Sequence, residues 1–263
     1  MSNGWKMQDL RVDPSTLLIG LDGCKNGWIG AATELGDLTN VRMIKIRRFD
    51  DVFGAFGASP GVVAVDMPVG LVNDGSRAVD GAARKLLGSQ ASSIFTPPER
   101  MLLEFASLNG HLQSPYPSNY LDSWAAVNEW AKNFLGHGVA QQAFGIYPKI
   151  AEVDRYMTAE RDPRIHEAHP ELIFREMNGG GQLPPKRQPG GVESRTALLA
   201  DSTGVDVGLL RITGDSSVRS NRDDELDALA LLWTAKRIAT GEARRIPDVV
   251  DFDPVGLDMA MWF

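Results

Sequence analysis

Two short apolar runs that each end in an aspartate constrain this chain more than any other feature. They are Leu17-Leu18-Ile19-Gly20-Leu21-Asp22-Gly23 and Gly61-Val62-Val63-Ala64-Val65-Asp66-Met67-Pro68. A run of this length, apolar on alternate and intervening positions alike and bounded by turn residues, suits a strand buried on both faces of a sheet. Such strands need helices above and below, which points to an α/β layered fold. If the two strands are adjacent and parallel, their ends bring Asp22 and Asp66 together.

The neighbouring segments fit the same picture. Trp28 to Ala32 comes after the first run and the turn-like Cys24-Lys25-Asn26-Gly27, so the two runs read as a hairpin. Val41 to Ile46 suits a third strand and Phe49 to Phe56 a short helix. This order predicts a mixed sheet whose fourth strand, ending in Asp66, pairs beside the first. Helical patterns then cover Arg77–Leu87, Glu99–Leu108 and Tyr120–Phe134, with Ser92–Pro98 and Ser114–Pro117 as loops. Gln142–Ile150 carries apolar residues around Pro148, and Ala151–Met157 can begin another helix. The block from about 73 to 164 reads as a helical insertion packed on the sheet, since no flexible linker marks its edges.

Beyond it, Ile165–Phe174 reads as a late strand and then a turn, and the Gly- and Pro-rich stretch from Asn178 to Gly191 as a loop. Val192–Ala200 looks helical. The last clear element runs from Asp223 to about Thr240, with Ser220 or Asn221 as cap and Gly241 just past its end. Residues 17–263 are expected to form a single domain behind a polar tail at 1–16. That tail lacks a basic segment leading into an apolar run and so does not resemble a secretory signal.

Asp22, Asp66, Asp224 and Asp227 are weighed together. Taken singly, each has a bland explanation. Asp-Gly pairs form turns, and acids in a first helical turn favour the helix dipole. Asp227 is harder to dismiss, because it lies one turn deeper, before Ala228-Leu229-Ala230-Leu231-Leu232-Trp233, where an unpartnered acid is costly. Asp224 and Asp227, three apart, share a helix face. Four grouped carboxylates call for a cation, and hard oxygen donors suit Mg²⁺ or Mn²⁺. Two such ions about 3.5–4 Å apart are a known device for phosphoryl chemistry.

Several segments together resemble one family. They are Gly20–Trp28, Ala64–Leu71, Ser92–Pro98, Gln142–Ile150, His169–Leu172 and Asp224–Ala230. The family is domain-of-unknown-function family 429, regarded as predicted nucleases of the ribonuclease H-like superfamily. The final Asp-x-x-Asp-Ala-x-Ala is also similar to Holliday-junction resolvases. The resemblance implies a mixed five-stranded sheet flanked by helices. It implies Asp22 as the first-strand metal ligand, Asp66 as the fourth-strand ligand, and Asp224 with Asp227 as ligands on the last helix.

Other residues divide between chemical and plain roles. Glu171 is a further candidate ligand or general base, or else an acid capping a strand end. His166 and His169 lack the partners of a zinc site and read as hydrogen-bonded or solvent-facing. Lys25, Arg84, Arg100 and Lys149 are candidate substrate contacts forming a basic rim. Lys186-Arg187 is either a phosphate contact or a solvated loop. Cys24, the sole cysteine, reads as buried rather than nucleophilic. It excludes an intrachain disulfide framework and fits a reducing, cytoplasmic setting. No run nears the roughly 20 apolar residues of a membrane helix.

A net charge of −7 argues against a protein that grips long duplexes unaided. The expected function is a metal-dependent phosphodiesterase or nuclease acting on a nucleic acid or nucleotide. A small-molecule phosphohydrolase or nucleotide-binding enzyme on the same scaffold, or a non-catalytic metal- or partner-binding module, are the alternatives.

Overall fold

A computed structural model describes residues 13–57, 60–112 and 120–263. The polar tail up to residue 12 and the loop expected at Ser114–Pro117 lie outside them. Strands β1 (Leu17–Cys24), β2 (Gly27–Glu34) and β3 (Arg42–Ile46) form an antiparallel meander, and a short helix α1 (Val52–Ala55) comes after it. The two-residue turn between β1 and β2 places Asn26 at φ 68°, a left-handed conformation that Asn tolerates better than most residues. Next, β4 (Val62–Val65) returns beside β1 in parallel, with Leu21 paired to Val65. Both expectations about the hairpin and the fourth strand hold.

Helices α2 (Ala78–Leu87), α3 (Arg100–Leu108), α4 (Tyr120–Phe134), α5 (Gln141–Phe144) and α6 (Tyr147–Glu160) come next. Pro148 falls in the first turn of α6, where its missing N–H costs nothing. The chain continues through β5 (Ile165–Glu167), α7 (Pro170–Met177), α8 (Gly191–Thr203), β6 (Ile212–Gly214), α9 (Arg222–Thr240), β7 (Arg245–Phe252) and β8 (Asp258–Trp262). The result is a six-stranded mixed sheet, ordered β5-β4-β1-β2-β3-β6, flanked by helices. Only β2 runs against the rest.

Strand alternation divides the core into two layers. Leu18, Ala64 and Ala168 face α9, α8, α7 and α2, while Ile19, Leu21, Val63 and Val65 face α3, α4 and α6. The block 73–164, expected as one insertion, is therefore divided. The apolar stripe of α2 (Val79, Ala83, Leu87) joins the α9 side, whereas α3 to α6 supply the helical cover of the opposite face. Without those helices a buried sheet face would be bare.

Three further expectations are corrected. The sheet has six strands rather than five, because the free edge of β3 takes up Ile212–Gly214. The segment after β5 is the helix α7 rather than a turn, with His169 at its cap and Pro170 at its first position. Finally, α9 is not the last element, since β7 and β8 form a separate two-stranded ribbon. No helix among the described residues is long and apolar enough to cross a membrane.

Candidate active site

The parallel strands β1, β4 and β5 end along one edge of the sheet, where open α/β sheets place their ligand crevices. Strand register aligns Asp22, near the end of β1, with the residues just past the ends of β4 and β5. The Asp66 N–H donates to Leu21 O at 3.0 Å, and the Ala168 N–H donates to Val65 O at 3.0 Å. Asp22, Asp66 and the pair His169 and Glu171 thus emerge side by side.

Helix α9 brings the remaining acids. It lies so close to β1 that a Cβ on Gly20 would overlap the backbone of Ala228, Leu231 and Leu232. Only glycine permits that approach. Alternation puts Asp22 on the same face of β1 as Gly20, toward α9. The start of the helix is pinned by a bridge from Arg219 N–H to Lys25 O at 2.9 Å, which ties it to the β1–β2 turn. Asn221 and Asp224 then form a reciprocal capping box. Asp224 spends one oxygen there, accepting from Asn221 N at 2.8 Å.

The electrostatics of this cluster are unbalanced. Asp22 is 6% exposed. Burial, then the charges of Asp227, Asp66 and Asp224, push its carboxyl well above the usual range, with Lys186 opposing only in part. Burial raises Asp66 to about 7 and Asp227 to about 6, and raises Asp224 as well. Neither Asp22 nor Asp66 makes a side-chain hydrogen bond or ion pair among the described residues. The Asp227 side chain accepts from Lys186 through Oδ2, while its buried Oδ1 has no partner among the described residues.

Glu171 sits in the first turn of α7, not at a strand end, and Arg195 grips both its oxygens at 3.0 and 2.8 Å. The Lys186 ammonium lies 3.9 Å from Glu171 as well as on Asp227. Lys186 is thus neither solvated nor free for phosphate. Burial works against its charge, but Asp227, Glu171 and Asp22 outweigh that and hold its pKa above the ordinary value. The His169 Nδ1 accepts from Glu171 N at 3.2 Å and its Nε2 lies 3.3 Å from Ser93 O. That pattern requires the neutral ring, in keeping with burial lowering its pKa. His166 instead meets Trp262 edge-on, with ring centroids 5.3 Å apart.

In front of the acids opens a cleft of about 820 Å³. Asp22, Asp66 and Asp224 line one side, and Lys25, Lys149 and Arg219 also reach it. Phe95, Tyr120 and Phe144 form an aromatic wall. Lys149 is partly committed, because its ammonium donates to Gly27 O and lies 4.7 Å from the centre of the Trp28 ring.

Two expected substrate contacts are not at the cleft. Arg100 is buried against Asp154 and Asp253 in an ion-pair network, so it braces the fold instead of forming a rim. Arg84 donates to Ile94 O at 3.2 Å and to Thr96 Oγ1 at 2.8 Å. It steadies the loop carrying Ser93 and Phe95 rather than facing a ligand. Cys24 is buried, which pushes its thiol up to about 12 and makes it inert as a nucleophile.

Sequence reasoning missed Arg195 altogether and misplaced Lys186. Both come from the region between α7 and the end of α8, whose return to the acids has no local signal. No curated protein and no solved structure matches the chain. The model of the family described as protein of unknown function (DUF429) matches residues 20–251, so the chain belongs to the DUF429 family.

Proposed function

We propose that this cleft hydrolyses a phosphodiester of a nucleic acid or nucleotide with the help of Mg²⁺ or Mn²⁺. The observation that carries the reading is a set of buried and half-buried carboxylates at a cleft that also presents cationic side chains, with Asp22 and Asp66 lacking any side-chain partner among the described residues. Within the sheet, the run β3-β2-β1-β4-β5 with β2 alone reversed supports a ribonuclease H-like arrangement.

The donor chemistry fits a hard cation. All four aspartates offer oxygen, and Asp227 Oδ1 is an orphaned buried acceptor of the kind a metal satisfies. Among the described residues, no three His, Cys, Asp or Glu side chains already converge as a cage. Asp22, Asp66, Asp224 and Asp227 would hold the ion. When bound, it supplies Lewis-acid activation of water and of the phosphate oxygens. Lys25 and Arg219 at the cleft offer charge-assisted hydrogen bonds to phosphate. Phe95 and Tyr120 offer flat faces for an unpaired base, a contact worth about 1–3 kcal/mol per base.

A second reading, a mononucleotide or other small phosphoester as substrate, is favoured by the acidic net charge of −7. Thermal shift with Mn²⁺ and Mg²⁺, run beside hydrolysis of single-stranded oligonucleotides and mononucleotide esters, tests both. The expected result is stabilisation and turnover in wild type, with both lost in Asp22→Asn and Asp227→Asn. Full turnover in both variants removes the proposal. Metal-linked stabilisation without hydrolysis of any phosphoester would leave a non-catalytic module. Binding that weakens steeply with salt would mark a polyanion rather than a mononucleotide.

A further inference from the structure

The acids of the cleft do not share their cations evenly. Glu171 is gripped by Arg195, and Lys186 bridges Glu171 and Asp227, so this half of the cluster already holds a charge. Asp22 and Asp66 have no ion-pair or hydrogen-bond partner for their side chains among the described residues, and Asp224 uses one oxygen as a cap. Lys186 reaches inward from the loop before α8 with only 23% of its side chain exposed. A flexible lysine on a surface loop gives up hydration and rotamer freedom to do this, which is worthwhile only where negative charge awaits it. Asp227, itself 7% exposed, keeps its second oxygen buried and unpartnered beside that ammonium.

We propose that Lys186 is a resident cation standing in one of the two cation positions of the cluster, so that the site takes a single divalent ion. This inference rests on the metal-dependent reading above. The ion would lie among Asp22, Asp66 and Asp224 and use the free oxygen of Asp227. The Lys186 ammonium permanently compensates the other side, toward Glu171. Lys186 acts here as a positioning residue: it fixes the carboxylate of Asp227 and sets how many ions the acids can hold. The two-ion arrangement expected from sequence is thereby replaced by one ion and one lysine.

The test is a count of Mn²⁺ bound per chain, by titration with spectroscopic detection of free Mn²⁺, on the whole protein without substrate. Wild type is expected to bind one ion. Lys186→Met is expected to bind two, a doubling of stoichiometry, with circular dichroism confirming that the fold persists. Lys186→Gln serves if the methionine variant does not fold. Two ions in wild type overturn the proposal without any variant, and so does one ion in a folded Lys186→Met or Lys186→Gln. No Mn²⁺ in wild type or variants would instead defeat the metal-dependent reading itself, and this inference with it.

Discussion

Two groups of buried and half-buried acids sit at neighbouring strand ends, and they are treated oppositely. Glu167 closes β5 and meets Arg77, which pairs bidentately with it at 2.8 and 2.7 Å and also holds Asp80 at 2.6 Å. The Val69 N–H adds a further bond to Glu167 at 2.8 Å. Burial works against the Arg77 charge, yet Glu167 and Asp80 outweigh it and keep its pKa above the ordinary value. At the neighbouring strands, Asp22 and Asp66 have no cation paired with them among the described residues. The first group has spent its charge on the fold. The second is left without a paired cation, so burial and mutual repulsion raise its carboxyls toward the protonated form, an arrangement found at sites where a ligand completes it.

The largest effect should come from breaking the balanced group. Arg77→Met leaves Glu167 and Asp80 buried without their cation, and removing one partner of a buried pair costs about 3–5 kcal/mol. Chemical denaturation should show that loss, and a variant as stable as wild type would erase the distinction between the groups.

Next in size is Gly20→Ala, which leaves the balanced group alone. Its Cβ forces α9 away from β1, and over-packing of this kind costs typically about 1–3 kcal/mol. Because the same approach brings Asp227 to Asp22, Mn²⁺ affinity should fall with stability. An unchanged Mn²⁺ titration would show that the acids do not depend on that spacing.

The remaining effect is a pH dependence, which changes no packing. Asp66 and Asp227 titrate near 7 and 6 when folded, above the roughly 3.9 of an unfolded aspartate. The native state therefore binds protons that the unfolded chain has released. Their contribution is complete below about pH 4 and is lost as pH rises toward 7. His137, raised by its bond to Glu99, has the same sign, whereas His166 and His169, lowered by burial, have the opposite one. Comparing metal-free wild type with Asp66→Asn cancels the histidines. The variant should melt at a temperature that falls less between pH 5 and 7.5. Parallel curves would mean that Asp66 titrates like an exposed acid.

Much of this is readable in the chain because it is local. The apolar runs into Asp22 and Asp66 mark β1 and β4, Asn221 and Gly241 mark the ends of α9, and the 3.6-residue pattern marks α2, α3 and α4. Elements without a pattern of their own are missed. Strand β6 has three residues at a sheet edge, and β7 carries Pro247 and mostly accessible side chains, so only their pairing makes them strands. His169-Pro170-Glu171 does carry a helix-start signal, proline at the first position, although the same residues also suit a turn.

Local sequence was enough to place Asp22, Asp66, Asp224 and Asp227 on their strands and helix, since alternation, helical spacing and capping act over a few residues. Which charges meet was settled by the tertiary packing alone. Lys186 and Arg195 reach Glu171 and Asp227 across the fold, and Arg100 turns inward to Asp253 from 153 residues away. Ion pairing depends on distance in space and on burial, and neither is written in the local pattern of a chain.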